Sequence, residues 1–261
     1  MKKVLIVLCI SMCFFGCETD DETTTATQSN PTFTFTHDWD GTTVTSADFN
    51  NFLFTTANGE SISIERLRYV ISDITFTKNS GEVLSTDFYN LVDVTNNTGL
   101  NYTLPSTIPV GNYSNVSFTF GFDNEDNAQN YTDLNSASFN VPDMLGGGYH
   151  YMQFDGKFIN DNMEEQGFNY HAIRAVDNPG DNPTFPQDTF FTVNLGPVSI
   201  DNNTEIEVKA NLAEWFKNPN LWDLNVYNQM LMPNSTAQIL MFENGQSVFT
   251  LGEVTQPEED E

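Results

Sequence analysis

Three histidines are all the imidazole this chain has, so each can be weighed singly. His37 stands two residues before Trp39 in FTFTHDWDG, His150 stands two before Met152 in GGGYHYMQF, and His171 lies in FNYHAIR. Imidazole suits both oxidation states of copper and a soft thioether favours the cuprous ion, which makes these residues a candidate donor set. Each also has an ordinary structural role open to it. His37 can be a buried neutral imidazole held by backbone, the commoner fate of such a residue, or a ligand fixed on a strand with Trp39 one pleat along. His150 and His171 can equally be satisfied structural histidines, and Met152 a filler of core space.

The elements that would position them are strands. Phe33, Phe35, His37 and Trp39 share one face of a period-two segment and Thr34, Thr36 and Asp38 the other. Val116, Phe118, Phe120 and Phe122 repeat the pattern, as do Ile206, Val208 and Ala210 against Glu205, Glu207 and Lys209. His150, Met152 and Phe154 fall on one face by the same count, and His171 shares a face with Asn169 and Ile173. In SISIERLRYVISDITFTKNSG the apolar phase changes twice, which calls for a bulge near Glu65 and another near Ser72. Only two helices are expected: LAEWFKNP, with Leu212, Trp215 and Phe216 at i, i+3 and i+4, and STAQILMFENG, with Ser235 as N-cap and Gly245 as stop. Many short strands, turn signals such as GGG at 146–148 and DNPGDNP at 177–183, and 22 phenylalanines predict an all-β fold: an antiparallel β-sandwich with one or two short helices.

The ends carry a different message. MKKVLIVLCISMCFFGC has two lysines, an apolar run too short for a stable span and a terminal FFGC, the pattern of a lipoprotein leader over 1–16 with Cys17 as the lipidated first mature residue. Cys9 and Cys13 would leave with the leader, so disulfides, thiolate metal sites and cysteine nucleophiles are excluded. Several acyl chains on Cys17 would hold the protein to a membrane. Residues 17–31 are polar and Thr-rich and are expected to form a tether, followed by one domain over 32–261 that ends in a disordered acidic tail. The acidic ETDDE after Cys17 resembles an export signal of Bacteroidetes-type lipoproteins. That likeness implies the outer face of the outer membrane, with the periplasmic face as the alternative.

All 36 acidic residues follow position 17, against seven basic ones once Lys2 and Lys3 are removed, a formal mature charge of −29. Such a field repels phosphate backbones, so nucleic acid is not an expected partner. The acidic DNEDN at 123–127 lacks the glycine and distal glutamate of an EF-hand loop and is expected to be a solvated turn. No GxSxG, HExxH or P-loop pattern is present, and a binding protein rather than an enzyme is expected.

The order of segments is more telling than any one of them. HDWDG, IERLRYVISDITFTKNSGE, IPVGNYSNVSFTFGFDNE, PDMLGGGYHYMQFDGKF with FNYHAI, then EVKANLAEWFKNP and AQILMFENGQSVFTL together resemble the MbnP-like family of copper-binding proteins. The resemblance implies a secreted or surface β-sandwich binding copper through histidines, assisted by a tryptophan oxidised to kynurenine by a partner di-haem peroxidase-like protein. Carried over by position, His37 and His171 look like the ligand histidines and Trp39 like the modifiable tryptophan, with His150 or Met152 as a further donor. The chain departs from the family where glycines replace tryptophans before Tyr149, where His150 replaces a lysine, and where Ala172 and Ile173 follow His171. The copper expectation requires His37 and His171 to point into one cavity. The rival expectation is a non-metal accessory or ligand-binding subunit of an outer-membrane uptake or secretion complex.

Overall fold

The computed structural model describes residues 27–256. The leader, Cys17, most of the tether and the last acidic residues lie outside that range. Strands come first: β1 (Gln28–Ser29), β2 (Thr32–Trp39), β3 (Thr42–Thr43), β4 (Phe52–Thr55), β5 (Ser61–Lys78), β6 (Val83–Ser85), β7 (Tyr89–Asp93), β8 (Asn101–Thr103), β9 (Ile108–Pro109) and β10 (Gly111–Phe120). A one-turn helix α1 (Thr132–Ser136) precedes β11 (Met152–Ile159), β12 (Glu165–Ala172), β13 (Phe191–Ile200) and β14 (Glu205–Asn211). Helix α2 (Ser235–Gly245) and β15 (Phe249–Thr255) close the described chain.

Two sheets face one another. The larger runs β12-β11-β5-β10-β13, with β4, β6 and β7 also paired to β5; the smaller runs β15-β14-β2-β3, with β8 on β2. The pairing is antiparallel except between β2 and β14, which run parallel in the register Phe35↔Val208 and His37↔Ala210. Their inward residues meet as an aromatic core: Phe35 packs edge-on against Tyr69 and Phe118, both at 6.3 Å, and burying rings of this size supplies much of the fold's apolar stabilisation.

The long strand β5 carries both expected bulges. Opposite β11 the register jumps from Asp155↔Arg66 to Gly156↔Ile64, leaving Glu65 as the extra residue. Opposite β10 it jumps from Thr119↔Ser72 to Ser117↔Thr75, around Asp73 at φ 51. Each bulge resets the alternation, so Ile62, Ile64, Leu67, Tyr69, Ile71, Ile74 and Phe76 are all buried although their spacing is irregular.

Three details differ from expectation. Residues 28 and 29, expected within the tether, form β1, which pairs with β9, and the Ser29 hydroxyl donates to the Asp201 carbonyl at 2.8 Å. LAEWFKNP forms a short 3-10 turn over Leu212–Phe216, with Leu212, Ala213, Trp215 and Phe216 all buried, and so lacks the polar face of an amphipathic helix. Helix α2 spans the expected residues, but its N-cap is Asn234, whose side chain accepts from the Ala237 N–H.

Candidate metal centre

His37 and Trp39 occupy the buried face of β2, as the phenylalanine stripe requires, at 5% and 6% exposure. His37 Nε2 shares a 3.0 Å hydrogen bond with the Tyr69 hydroxyl, so the ring is wedged between the sheets. Burial pushes its pKa down to about 4 and raises the Tyr69 phenol well above its usual value, which leaves both groups neutral at physiological pH. The Trp39 indole donates to the Thr55 carbonyl at 3.1 Å and stacks on Phe54 at 5.2 Å. An intact indole is a donor only, so it offers no lone pair to a metal.

His171 lies elsewhere. Tyr69 is opposite Met152, and Met152 opposite Ala172, so these three share the inward face with His37's partner. Arg68, Gln153 and His171 form the adjacent row and point out of the other side of the sheet. The single cavity shared by His37 and His171 is therefore not formed: the larger sheet stands between them. Met152 faces the core, fully buried.

The expectation that His150 shares a face with Met152 is also corrected. A bend at Tyr151 interrupts the extended chain before β11 begins at Met152, which turns the His150 ring to the outer side. There it meets His171, with ring centroids 5.2 Å apart and planes at 83°. The GGG turn allows this path. Gly146, Gly147 and Gly148 all have positive φ, and a Cβ on Gly148 would stand 2.6 Å from the Asn127 side chain.

Both rings are held by acceptors. His150 Nδ1 lies 2.8 Å from the Phe139 carbonyl and His171 Nε2 lies 2.8 Å from Asp155 Oδ1. Asp155 also accepts from Arg66 and Asn169. Burial alone would raise its pKa, but the hydrogen bond and charge of His171, together with the hydrogen bonds from Arg66 and Asn169, hold it down at about 2. His150, 4% exposed, is lowered to about 4, chiefly by burial and further by His171, Arg66 and Arg68, against the opposing hydrogen bond to Phe139. The edge of β12 is closed by Gln238, whose amide accepts from the Ile173 N–H at 2.8 Å and donates to the His171 carbonyl at 2.9 Å. This fixes the His171 backbone where an open edge would leave it unpaired.

The ion implied by the resemblance can be tested against these donors. On β2 His37 Nε2 and Trp39 Nε1 are engaged by protein, so this strand offers at most one imidazole nitrogen, His37 Nδ1, beside an indole that can only donate. On the outer face His150 Nε2 is buried without any partner, an orphaned imidazole nitrogen beside a second imidazole. The outer face thus brings two imidazoles together for a nitrogen-seeking ion, where β2 brings one imidazole and an indole without a lone pair.

Counting residues missed Asp155, although the β11–β12 hairpin was the signal: pairing Gln153 with His171 puts Asp155 two residues along the same face. A carboxylate group was missed as well. DNEDN is a turn, with Asp123 accepting from the Glu125 and Asp126 N–H groups, yet Asp126 joins Asp73 and Asp87, their oxygens within 4.8 Å of one another. Burial and neighbouring acids push Asp126 up to about 6.

Fold and site together define a class: a two-sheet all-β protein presenting imidazoles from strands and strand ends. The MbnP sequence profile matches residues 28–234, and the chain belongs to the MbnP family. Among solved structures it is similar to MbnP from Methylosinus trichosporium, at 12% identity and a TM-score of 0.45, over 75% of this chain and 80% of that one. No curated protein matches it.

Proposed function

We propose that this protein is a lipid-anchored copper-binding protein of the outer membrane, displayed at the cell surface and not an enzyme. The supporting observation is the adjacent outer-face pair, His150 and His171, in which one ring nitrogen is buried and unused. An imidazole must be neutral to ligate, and the lowered pKa of His150 keeps its lone pair available. Family membership points to the same metal. Asp155 orients His171 through Nε2, and when bound the ion would supply a redox-active centre or simply be stored. The same reading includes oxidation of Trp39 to kynurenine by a di-haem peroxidase-like partner. Elemental analysis of the full chain purified from membranes, with intact mass, tests it: copper at one per chain is expected, and a protein that holds none after loading refutes it.

A second reading, an accessory subunit of an outer-membrane complex, has its own observation. The tether enters at β1 beside β9, near the Lys78 end of β5, whereas Met163 and Val226, 82% and 65% exposed, stand at the Ser61 end. An 18-residue strand separates these ends by about 50 Å. A partner that buries Met163 and Val226 would dock at that far end. Co-purification of a membrane complex with wild type, lost in Met163→Ser with Val226→Ser, would favour it.

A further inference from the structure

The orphaned nitrogen of His150 calls for an account, because a buried polar atom without a partner costs about 1–3 kcal/mol and native structures hold few of them. A carbonyl only accepts, so the 2.8 Å contact with Phe139 places the proton of neutral His150 on Nδ1 and leaves the lone pair on Nε2. The same logic applies next door. Asp155 accepts from Arg66 and Asn169 and so accepts from His171 as well, which puts a proton on His171 Nε2; in the neutral ring the lone pair is then on Nδ1. Carboxylate–imidazole pairing of this kind is what orients and strengthens a metal-ligating histidine.

Distance agrees with the chemistry. Two imidazoles bound to one ion at about 2.0 Å, with a bond angle near about 110°, have ring centres about 5 Å apart. The observed separation is 5.2 Å. No carboxylate completes a three-donor cluster here, since the one such group among the described residues is Asp73, Asp87 and Asp126. Two nitrogens without oxygen ligands disfavour calcium and magnesium and suit copper or zinc. Arg66 and Arg68 add positive charge nearby, but Arg66 is paired with Asp155 and Arg68 donates to Gln153 at 2.7 Å.

We propose that His150 through Nε2 and His171 through Nδ1 form a two-imidazole metal site on the outer face of the larger sheet, with Asp155 as its positioning residue and without His37 or Trp39. The identity of the ion as copper rests on the function proposed above; the location of the site does not.

The test uses the full lipidated chain in detergent, titrated with copper and separately with zinc, in wild type, His150→Gln, His171→Gln, Asp155→Asn and His37→Gln. Long-range nitrogen NMR of the wild-type imidazoles is recorded alongside. Expected are an Nδ1–H tautomer for His150 and an Nε2–H tautomer for His171, with both free nitrogens shifting on metal addition. Loss of either histidine should weaken binding more than about 100-fold, and Asp155→Asn about 10- to 100-fold. His37→Gln should change it less than about twofold. If wild type binds copper and only His37→Gln abolishes it, this site is wrong and the copper reading stands. If zinc shifts both rings but copper does not, the site stands and the copper reading fails. If neither metal moves either ring, both fail. The wild-type spectra decide even where a variant does not fold.

Discussion

His37 should make this protein acid-sensitive by an amount that can be worked from its burial. Its folded pKa is lowered from 6.5 to about 4, so as pH falls the unfolded chain takes up the proton first. The neutral buried ring therefore contributes stability that is fully present above about pH 6.5 and is lost as pH falls toward about 4. At about 1.4 kcal/mol per pH unit the loss is about 2.5 kcal/mol at about pH 4.5. Many carboxylates titrate over the same range, so the assay is a subtraction. Urea unfolding of wild type and His37→Gln is followed from about pH 7.5 to about pH 4.5, and the difference in unfolding free energy is plotted against pH. His150, lowered to a similar value, titrates in both proteins and cancels. The difference should fall by about 2.5 kcal/mol in the wild type's disfavour. A flat difference would mean that His37 is solvated or ionised when folded, and the core placement of β2 would be wrong.

Three further outcomes follow from particular contacts. Gly156→Ala should destabilise by about 2 kcal/mol in chemical denaturation, because its Cβ would stand 2.1 Å from the Ser63 carbonyl and force β11 away from β5 at the bulge. Gln238→Leu should cost about 3 kcal/mol and speed amide exchange along β12, since it strips the Ile173 N–H and the His171 carbonyl of their partner and takes one of two donors from the Leu231 carbonyl. Asp126→Asn should stabilise by about 1 kcal/mol at about pH 8 in low salt, after allowing for solvent screening, and the gain should shrink with added salt and below about pH 6 as the raised carboxyl protonates.

What the sequence made legible was local. The alternation of β2 and the double phase change of β5 each report which face of one strand is apolar, and each is found as expected; the helix over 235–245 was marked by its ends and not by an apolar face, since Gln238 and Asn244 are among its buried residues. What it hid depended on distant pairing. The parallel union of β2 with β14 joins segments some 170 residues apart, as in His37↔Ala210, and no periodicity encodes it. Period-two counting placed His150 with Met152 because it cannot register the bend at Tyr151. It put His37 on a buried face and His171 on a face with Asn169 and Ile173 without saying which side of which sheet, and the row Arg68, Gln153, His171 settles that only once the register is known. Both histidines of the proposed site were thus named in advance, while their partnership and the role of Asp155 were not.

Copper K-edge absorption on the full chain loaded with one equivalent of copper tests the central claim most directly. The expected spectrum shows a nitrogen shell at about 2.0 Å with imidazole scattering, diminished in both His150→Gln and His171→Gln. Copper that washes away on desalting, or a spectrum that neither variant changes, would contradict it.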